Sequence, residues 1–214
     1  TTGYFRNIFY GFLPSTVKKN PVFYIALGVF ALFNISIQIF MPYLILYYEV
    51  SLKMTNYVFV MAPAIILASV VTALWGKVYD KKGFMKSAIP ALIWLCAGYV
   101  LLLLFKGTVM VFIGSLLMMC GYLSGMAVFG AMLRDHTPEN RAGMFQGLRI
   151  VGQVLIPGVI GPAIGAKILE NAATIVGDDG TTSFIPNENI FLGALIAILT
   201  VWIVLIPLFR GKEN

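Results

Sequence analysis

Charged residues are scarce in this chain. Asp, Glu, Lys and Arg make up 11% of its 214 residues, whereas 59% are hydrophobic and the mean hydropathy is +0.89. Soluble domains carry roughly 25% charged residues, so the composition excludes an ordinary soluble protein. Lipid is therefore the solvent that this sequence suits best.

Cysteine and histidine are almost absent. Cys96 and Cys120 lie inside apolar runs without a C-x-x-C pair, and His136 is the single histidine. These residues are too few and too scattered for a disulfide framework, a zinc site or a multi-histidine metal site. A catalytic triad would depend on one histidine in a polar loop. We therefore expect no catalytic residues, no metal and no cofactor.

Six apolar stretches are long enough to cross a bilayer as helices. A hydrocarbon core of roughly 30 Å needs about 20 helical residues, and the stretches lack the alternation of barrel strands. The predicted spans are residues 22–47, 57–75, 88–105, 109–133, 144–168 and 190–209. The sequence thus predicts an all-α membrane protein in which residues 22–209 form the transmembrane bundle.

Basic residues are concentrated on one side of these spans. With six crossings, both termini share a side with the loops after the second and fourth spans. That side carries twelve of the fifteen Lys and Arg, and the other carries Lys53, Lys106 and Lys167. The positive-inside rule places both termini in the cytoplasm, and we expect a bacterial plasma membrane. Because topology explains most of the +6 net charge, no nucleic-acid partner is expected.

Three segments lie outside the predicted bundle or join its last two spans. Residues 1–21 mix aromatic with basic side chains, as in an interfacial amphipathic segment. They are interpreted as a cytoplasmic linker on the membrane surface, with a lipid-sensing role as the alternative. Residues 210–214 are a cytoplasmic tail. Residues 170–189 contain Gly177-Asp178-Asp179-Gly180 and are predicted to be an external loop with turns.

Two loops on the basic side carry glycine, acidic and basic residues at regular spacing. They contain Gly76, Asp80, Lys81 and Gly83 after the second span, and Arg134, Asp135, Arg141 and Gly143 after the fourth. Gly76 is predicted to lie where two helices approach closely, Gly83 permits a positive φ in a tight turn, and Thr137 is placed to cap the next helix. Any tight loop at a membrane surface favours glycine and basic residues, which is the alternative interpretation.

The spacing in these loops resembles the G-x-x-x-D-[RK]-x-G-[RK]-[RK] and D-x-x-P-x-x-x-R-x-G signatures of the major facilitator superfamily. Phe84 and Met85 stand where the first signature has basic residues. The resemblance covers nearly the whole chain and implies that the two loops are gating loops. It also implies the C-terminal six-helix half of a twelve-helix transporter, built from inverted three-helix repeats. The implied partner is an N-terminal six-helix half.

Two stretches, residues 38–43 and 145–149, are similar to glycoside-pentoside-hexuronide cation symporters. This similarity implies a sugar or glycoside as the solute and a proton or sodium as the coupling ion. No Asp or Glu lies near the middle of any span. The ion site would therefore belong to the other half.

A few polar residues lie within the spans, where they are costly. Asn34 and Gln38 share one helix face, just before Pro42 and Tyr43. Amides both donate and accept hydrogen bonds, as sugar hydroxyls require. Hydrogen bonding between helices is the alternative role of these amides.

The fifth span carries a polar stripe, with Gln146, Arg149 and Gln153 at positions i, i+3 and i+7. Arg149 either extends to the cytoplasmic headgroups or faces a cavity and binds an anionic solute or an acidic partner of the other half. The flanking amides favour the cavity. We predict a substrate-binding set of Asn34, Gln38, Tyr43, Gln146, Arg149 and Gln153.

Glycine and proline recur in the first, fourth and fifth spans. Small residues allow close approach of helices, and proline opens the helical hydrogen-bond ladder. Hinge or helix-packing roles are predicted for Pro42, Gly121, Gly125, Gly158, Gly161, Pro162 and Gly165.

These patterns predict half of a secondary active transporter in the lipid bilayer, moving a small polar solute by alternating access. A membrane-embedded enzyme using Asp135, His136 and Glu139 is one alternative, although the cluster has no nucleophile and no metal-ligand spacing. A six-helix scaffold subunit without transport activity is the other.

Overall fold

Long helices form nearly all of the regular structure in residues 9–210, the part of the chain that the computed structural model describes. The elements are α1 (Pro14–Lys19), α2 (Pro21–Phe40), α3 (Leu44–Leu46), α4 (Val58–Leu104), α5 (Thr108–Asp135), α6 (Ala142–Ile150), α7 (Ile156–Ile168), β1 (Thr174–Val176), β2 (Thr182–Phe184) and α8 (Asn189–Arg210). Of the predicted linker, residues 1–8 lie outside the described part, as does the tail from residue 211. Side chains are described up to residue 207.

Helix α4 is two membrane crossings joined by a kink. Its 47 residues would extend about 70 Å if straight, more than twice the hydrocarbon thickness. Gly83 interrupts it with φ 79° and ψ 179°. Beyond the kink the chain turns back, so that the two arms of α4 lie side by side. The Trp75 ring is 4.7 Å from the Trp94 ring, and Trp75 Nε1 donates to the Ser87 carbonyl at 2.8 Å. The six predicted crossings are thereby accounted for.

The predicted loop at residues 76–86 is wrong as a loop, because all of it except Gly83 is helical. The predicted second span ends, and the predicted third span begins, beside charged residues. Lysine side chains extend easily into the headgroup region, so the helix continues past the hydrocarbon edge. The two arms therefore run farther than the apolar stretches.

The first and fifth spans are interrupted helices. The first passes from α2 through a 3₁₀ turn at Met41–Tyr43 and α3 into a π-helical turn at Tyr47–Ser51. The fifth runs from a 3₁₀ turn at Glu139–Arg141 through α6 and a π-helical turn at Val151–Leu155 into α7. Pro42 lies in the first break and has no N–H to donate, which explains the local change of helix type.

Helix α2 lies at the centre and packs against α5, α7 and α8. Its aromatic side chains fill the contact with α5, where the Phe33 and Phe129 rings are 5.0 Å apart. Ser36 donates to the Ala194 carbonyl at 2.7 Å, so the Tyr99 hydroxyl donates to Ser36 Oγ at 3.0 Å. These bonds join α2, α4 and α8 and satisfy polar groups that lipid could not.

The loop before α8 contains a small hairpin that the all-helical prediction did not include. Strands β1 and β2 pair antiparallel, with Ile175 opposite Ser183. Gly180 has φ 78° in the connecting turn. Asp179 Oδ1 accepts from the Thr181 hydroxyl at 2.6 Å and the Thr181 N–H at 3.0 Å, and these bonds lower the pKa of Asp179. The predicted turns are therefore present, within a hairpin.

Candidate solute site

The predicted polar residues of the first span point in different directions. Asn34 is only 5% exposed, and its Nδ2 donates to the Phe30 carbonyl of its own helix at 3.0 Å. Gln38 is half-buried at the contact with α7. Tyr43 donates to the Pro162 carbonyl at 3.4 Å. Gln38 and Tyr43 thus lie along the α2–α7 contact, whereas the Asn34 amide is engaged by its own helix.

Two glycines of α7 create that contact. A Cβ on Gly161 would lie 2.3 Å from Cβ of Gln38, and one on Gly165 would lie 2.6 Å from the Ile39 carbonyl oxygen. No other residue type fits without shifting backbone, so α2 and α7 form a closely packed pair. Gly158, predicted to belong to the same surface, has no neighbour within 4 Å among the described residues.

Gly121 and Gly125 of α5 also lie in close contacts. A Cβ on Gly121 would be 2.4 Å from the Leu95 nitrogen, and one on Gly125 would be 2.4 Å from the Phe33 ring. Sequence reasoning missed Gly98, where an added Cβ would be 2.5 Å from the Met118 nitrogen. The position of Gly98 in an apolar stretch is compatible with helix packing, but no sequence pattern identifies the helix that it contacts.

The polar stripe of the fifth span lies nearer to the loop at Glu139–Arg141 than the α2–α7 contact does. Arg149 Nε donates to Gln153 Oε1 at 3.1 Å, and Arg149 Nη2 is 3.2 Å from where a Cβ on Gly130 of α5 would lie. The guanidinium therefore reaches across from α6 to α5. A side chain extending to the headgroups would instead point toward the loop, away from Gln153.

Five of the six predicted substrate-binding residues form two groups at different depths, and Asn34 belongs to neither. Gly161, the contact of Gln38, is eight residues beyond Gln153, or about 12 Å along the helix. Gln146 is exposed and belongs to the Arg149 group by its position three residues earlier. The structure thus brings Gln38 and Tyr43 together at one level, and Arg149 and Gln153 at another.

The two predicted gating loops meet at one end of the bundle. Tyr79 donates to Asp135 Oδ2 at 2.7 Å, and Arg134 Nε is 3.5 Å from Asp135 Oδ1. The exposed Asp80 and Lys81 form no ion pair within the described residues. Tyr79 was missed because its hydroxyl partner is 56 residues away in the sequence.

Several local expectations for these loops are wrong. Gly76 was expected at a close approach of helices, but neither it nor Gly143 has a neighbour within 4 Å of an added Cβ among the described residues. Thr137 does not cap the next helix, because its hydroxyl donates back to the Leu133 carbonyl at 2.8 Å. Back-bonding to the preceding turn competes with capping for the same hydroxyl.

Arg141 of the second loop holds the segment that precedes α1. Its guanidinium carbon lies 4.0 Å from the centre of the Tyr10 ring, in a cation–π contact. Tyr24 donates to the Gly11 carbonyl, and Leu148 fills the space beside Gly11. The described part of the linker is therefore attached to both α2 and α6.

At the opposite end, Lys106 and Glu188 form an ion pair at 3.3 Å beside a pocket of about 320 Å³. The backbone N–H of Glu188 itself, followed by Lys106, lowers the pKa of this carboxyl group despite partial burial. Tyr47 lines the same pocket, and its buried hydroxyl has no hydrogen-bond partner among the described residues. Nothing in the sequence indicated this cluster.

Neither a metal centre nor a triad is formed in the described part of the chain. No three residues of the His, Cys, Asp and Glu types converge there. His136 Nδ1 is 2.8 Å from the Met132 carbonyl, so one ring nitrogen is engaged by the backbone. Among the described residues, no hydrogen bond joins His136 to Asp135 or Glu139, the other members of the cluster considered for an enzyme.

Six helical crossings, with interrupted helices beside polar side chains, define an integral membrane protein of the helical-bundle class. The family model of the Major Facilitator Superfamily matches residues 8–162. The chain therefore belongs to this superfamily of transporters. No curated protein matches it, and neither does any solved structure.

Proposed function

We propose that the chain is the C-terminal half of a secondary active transporter, which moves a small polar solute by alternating access. A sugar or glycoside moved together with a proton or sodium is the proposed cargo, as in glycoside-pentoside-hexuronide cation symporters. An N-terminal six-helix half completes the cavity and supplies the acidic ion site. The bundle moves as a rigid unit built from inverted three-helix repeats.

The observation that carries this proposal is the close crossing of α2 and α7 at Gln38 and Gly161. Both spans are interrupted close to it, at Met41–Tyr43 and at Val151–Leu155. Transporters of this kind form their sites from discontinuous helices near the bilayer midplane. The close backbone contact keeps α2 and α7 together. At the interruption in either span, backbone polar groups that are free of the regular helical hydrogen bonds are then available to the solute.

Roles follow for the polar residues at each depth. Gln38 and Tyr43 offer an amide and a hydroxyl beside the crossing, and Gln146, Arg149 and Gln153 offer a second polar level. Asn34 supports its helix and reaches solute only if its bond to Phe30 is exchanged. The contact between Tyr79 and Asp135 holds the two gating loops together at one end.

The test is uptake by the full-length protein in proteoliposomes, using radiolabelled galactose and galacturonate under an imposed sodium or proton gradient. Gln38→Ala and Arg149→Ala should each reduce uptake at least about tenfold, because each removes hydrogen bonds to a buried polar solute. Asn56→Ala, an amide removed from an exposed turn, should leave uptake unchanged.

Folding is monitored by thermal unfolding in detergent, so that loss of uptake is separated from loss of structure. Normal uptake by both site variants would contradict the site assignment. Absence of uptake by the folded wild-type protein, together with a sealed interior that admits no cysteine reagent, would instead support the scaffold alternative.

A further inference from the structure

We infer that Arg149 anchors an anion site that takes the carboxylate group of the transported solute; this rests on the proposed function and narrows its substrate class. Arg149 is partly exposed, with Gln146 exposed three residues before it on the same face. An approaching solute can therefore reach both side chains.

The positive charge of Arg149 is not balanced by any acidic residue that the structure describes. Eight of the nine Asp and Glu of the chain lie in residues 9–207, and the ion pairs among them involve Lys106, Arg134 and Lys167. All eight lie in loops or at span ends. A cation within a span requires a negative partner or water, so the partly exposed guanidinium of Arg149 favours an anion.

The orientation of the guanidinium selects the shape of that anion. Nε is occupied by Gln153 Oε1 at 3.1 Å, which fixes the plane of the group and leaves the edge formed by Nη1 and Nη2. Two parallel N–H donors on this edge match the two oxygens of a carboxylate. A Cβ on Gly130 would lie 3.2 Å from Nη2, so a larger residue there would require the guanidinium to shift by a few tenths of an ångström.

The neighbouring side chains are neutral, and this limits the charge of the ligand. Gln146 and Gln153 flank the single cation on the same helix face. One arginine balances one negative charge, whereas a dianionic phosphate would favour a second cation. Amides also bond hydroxyl groups, so the site fits a hydroxylated monocarboxylate better than a phosphate ester.

The charge is tested with a cysteine probe in the full-length protein. The variant Gln146→Cys is made with Cys96 and Cys120 replaced by Ala. Its thiol is modified in separate reactions with an anionic and a cationic methanethiosulfonate of similar size. Each rate is divided by the rate with free thiol. The anionic reagent should react about tenfold faster than the cationic one, because an unbalanced arginine attracts it.

Arg149→Gln in the same background should remove this preference, and Lys167→Gln, a basic residue exposed at the opposite end, should leave it unchanged. Equal rates for both reagents before the Arg149 change would overturn the inference, since an acidic residue of the other half would then balance the charge.

Ligand class is tested by protection of the same cysteine. Lactate and gluconate should slow its modification. Propane-1,2-diol and sorbitol, in which an uncharged hydroxymethyl group replaces the carboxylate, should not. Inorganic phosphate protecting in place of the carboxylates, or no protection by either carboxylate, would overturn the assignment. Uptake of galacturonate unaffected by Arg149→Gln would overturn this inference while leaving the transport function intact.

Discussion

At the scale of single residues, the contact of Gly121 with the backbone of Leu95 is among the tightest in the bundle. An added Cβ would lie 2.4 Å from the Leu95 nitrogen and 2.7 Å from the Ala91 carbonyl oxygen. Neither atom belongs to a flexible side chain that can move aside. The two helices must therefore separate if the methyl group is added.

Gly121→Ala is expected to destabilise the folded protein by about 1–3 kcal/mol, the usual cost of overpacking. Gly158→Ala is the matched control, because no atom of the described residues lies within 4 Å of its added methyl and alanine favours helix. Thermal unfolding in detergent measures both variants. Equal melting temperatures for the two would contradict the assigned contact.

The sequence could predict that Gly121, Gly125, Gly161 and Gly165 lie against other helices, because small residues at helical spacing favour close packing. It could not separate them from Gly158, which belongs to the same glycine-rich run but faces open space. Which face a residue presents depends on the relative rotation of two helices. That rotation is set by all their contacts together.

At the scale of elements, the hairpin within α4 depends on the backbone of Gly83. Its φ of 79° and ψ of 179° lie in a region that only glycine enters readily. Gly83 was predicted from sequence as a position of positive φ, and the structure confirms this. The helical arms on either side were not predicted. Charged residues indicate where the chain leaves the hydrocarbon of the membrane, but they do not indicate where the helix ends.

Gly83→Ala should destabilise the fold by about 1–3 kcal/mol, because alanine is strained at this φ and ψ. Gly76→Ala is seven residues earlier, where an added Cβ would have no neighbour within 4 Å in the described part of the chain, and it should be neutral or slightly stabilising. Both are measured by thermal unfolding. A stable Gly83→Ala protein with unchanged Trp fluorescence would show that the hairpin tolerates another backbone geometry.

The ion pair of Glu188 and Lys106 joins two loops at the other end, where the backbone N–H of Glu188 and, after it, Lys106 give this carboxyl group a pH-dependent contribution to stability. The pKa of Glu188 is lowered in the folded state, so its contribution to stability is present near neutrality and is lost as pH falls below about 4. The contribution is small, under about 1 kcal/mol, because the Lys106 side chain is 62% exposed.

Glu188→Gln should therefore lower the melting temperature at pH 7 and bring little change at pH 3. Asp178→Asn removes an exposed carboxyl group in the hairpin turn that forms no ion pair with any described residue, and it serves as the control. A difference between the Glu188 variant and wild type that persists at pH 3 would assign the effect to packing and not to charge.

At the scale of the whole molecule, contacts between distant segments show which loops share an end. Arg141 meets Tyr10, Tyr79 meets Asp135, and Lys106 meets Glu188. Counting six spans predicts the same grouping of loops. The individual pairs could not be predicted, because each joins segments 56 to 131 residues apart, and their meeting depends on how the helices pack.

This grouping makes the orientation in the membrane testable. By sequence position, twelve of the fifteen Lys and Arg are assigned to the side that contains Gly83 and Arg141, so we expect that side to face the cytoplasm. With Cys96 and Cys120 replaced by Ala, Asp178→Cys should react with an impermeant maleimide in intact cells. Lys81→Cys should react only after the cells are permeabilised, since both positions are exposed and differ only in their side. The reverse pattern would place the basic loops outside and would require the solute path proposed here to run in the opposite sense.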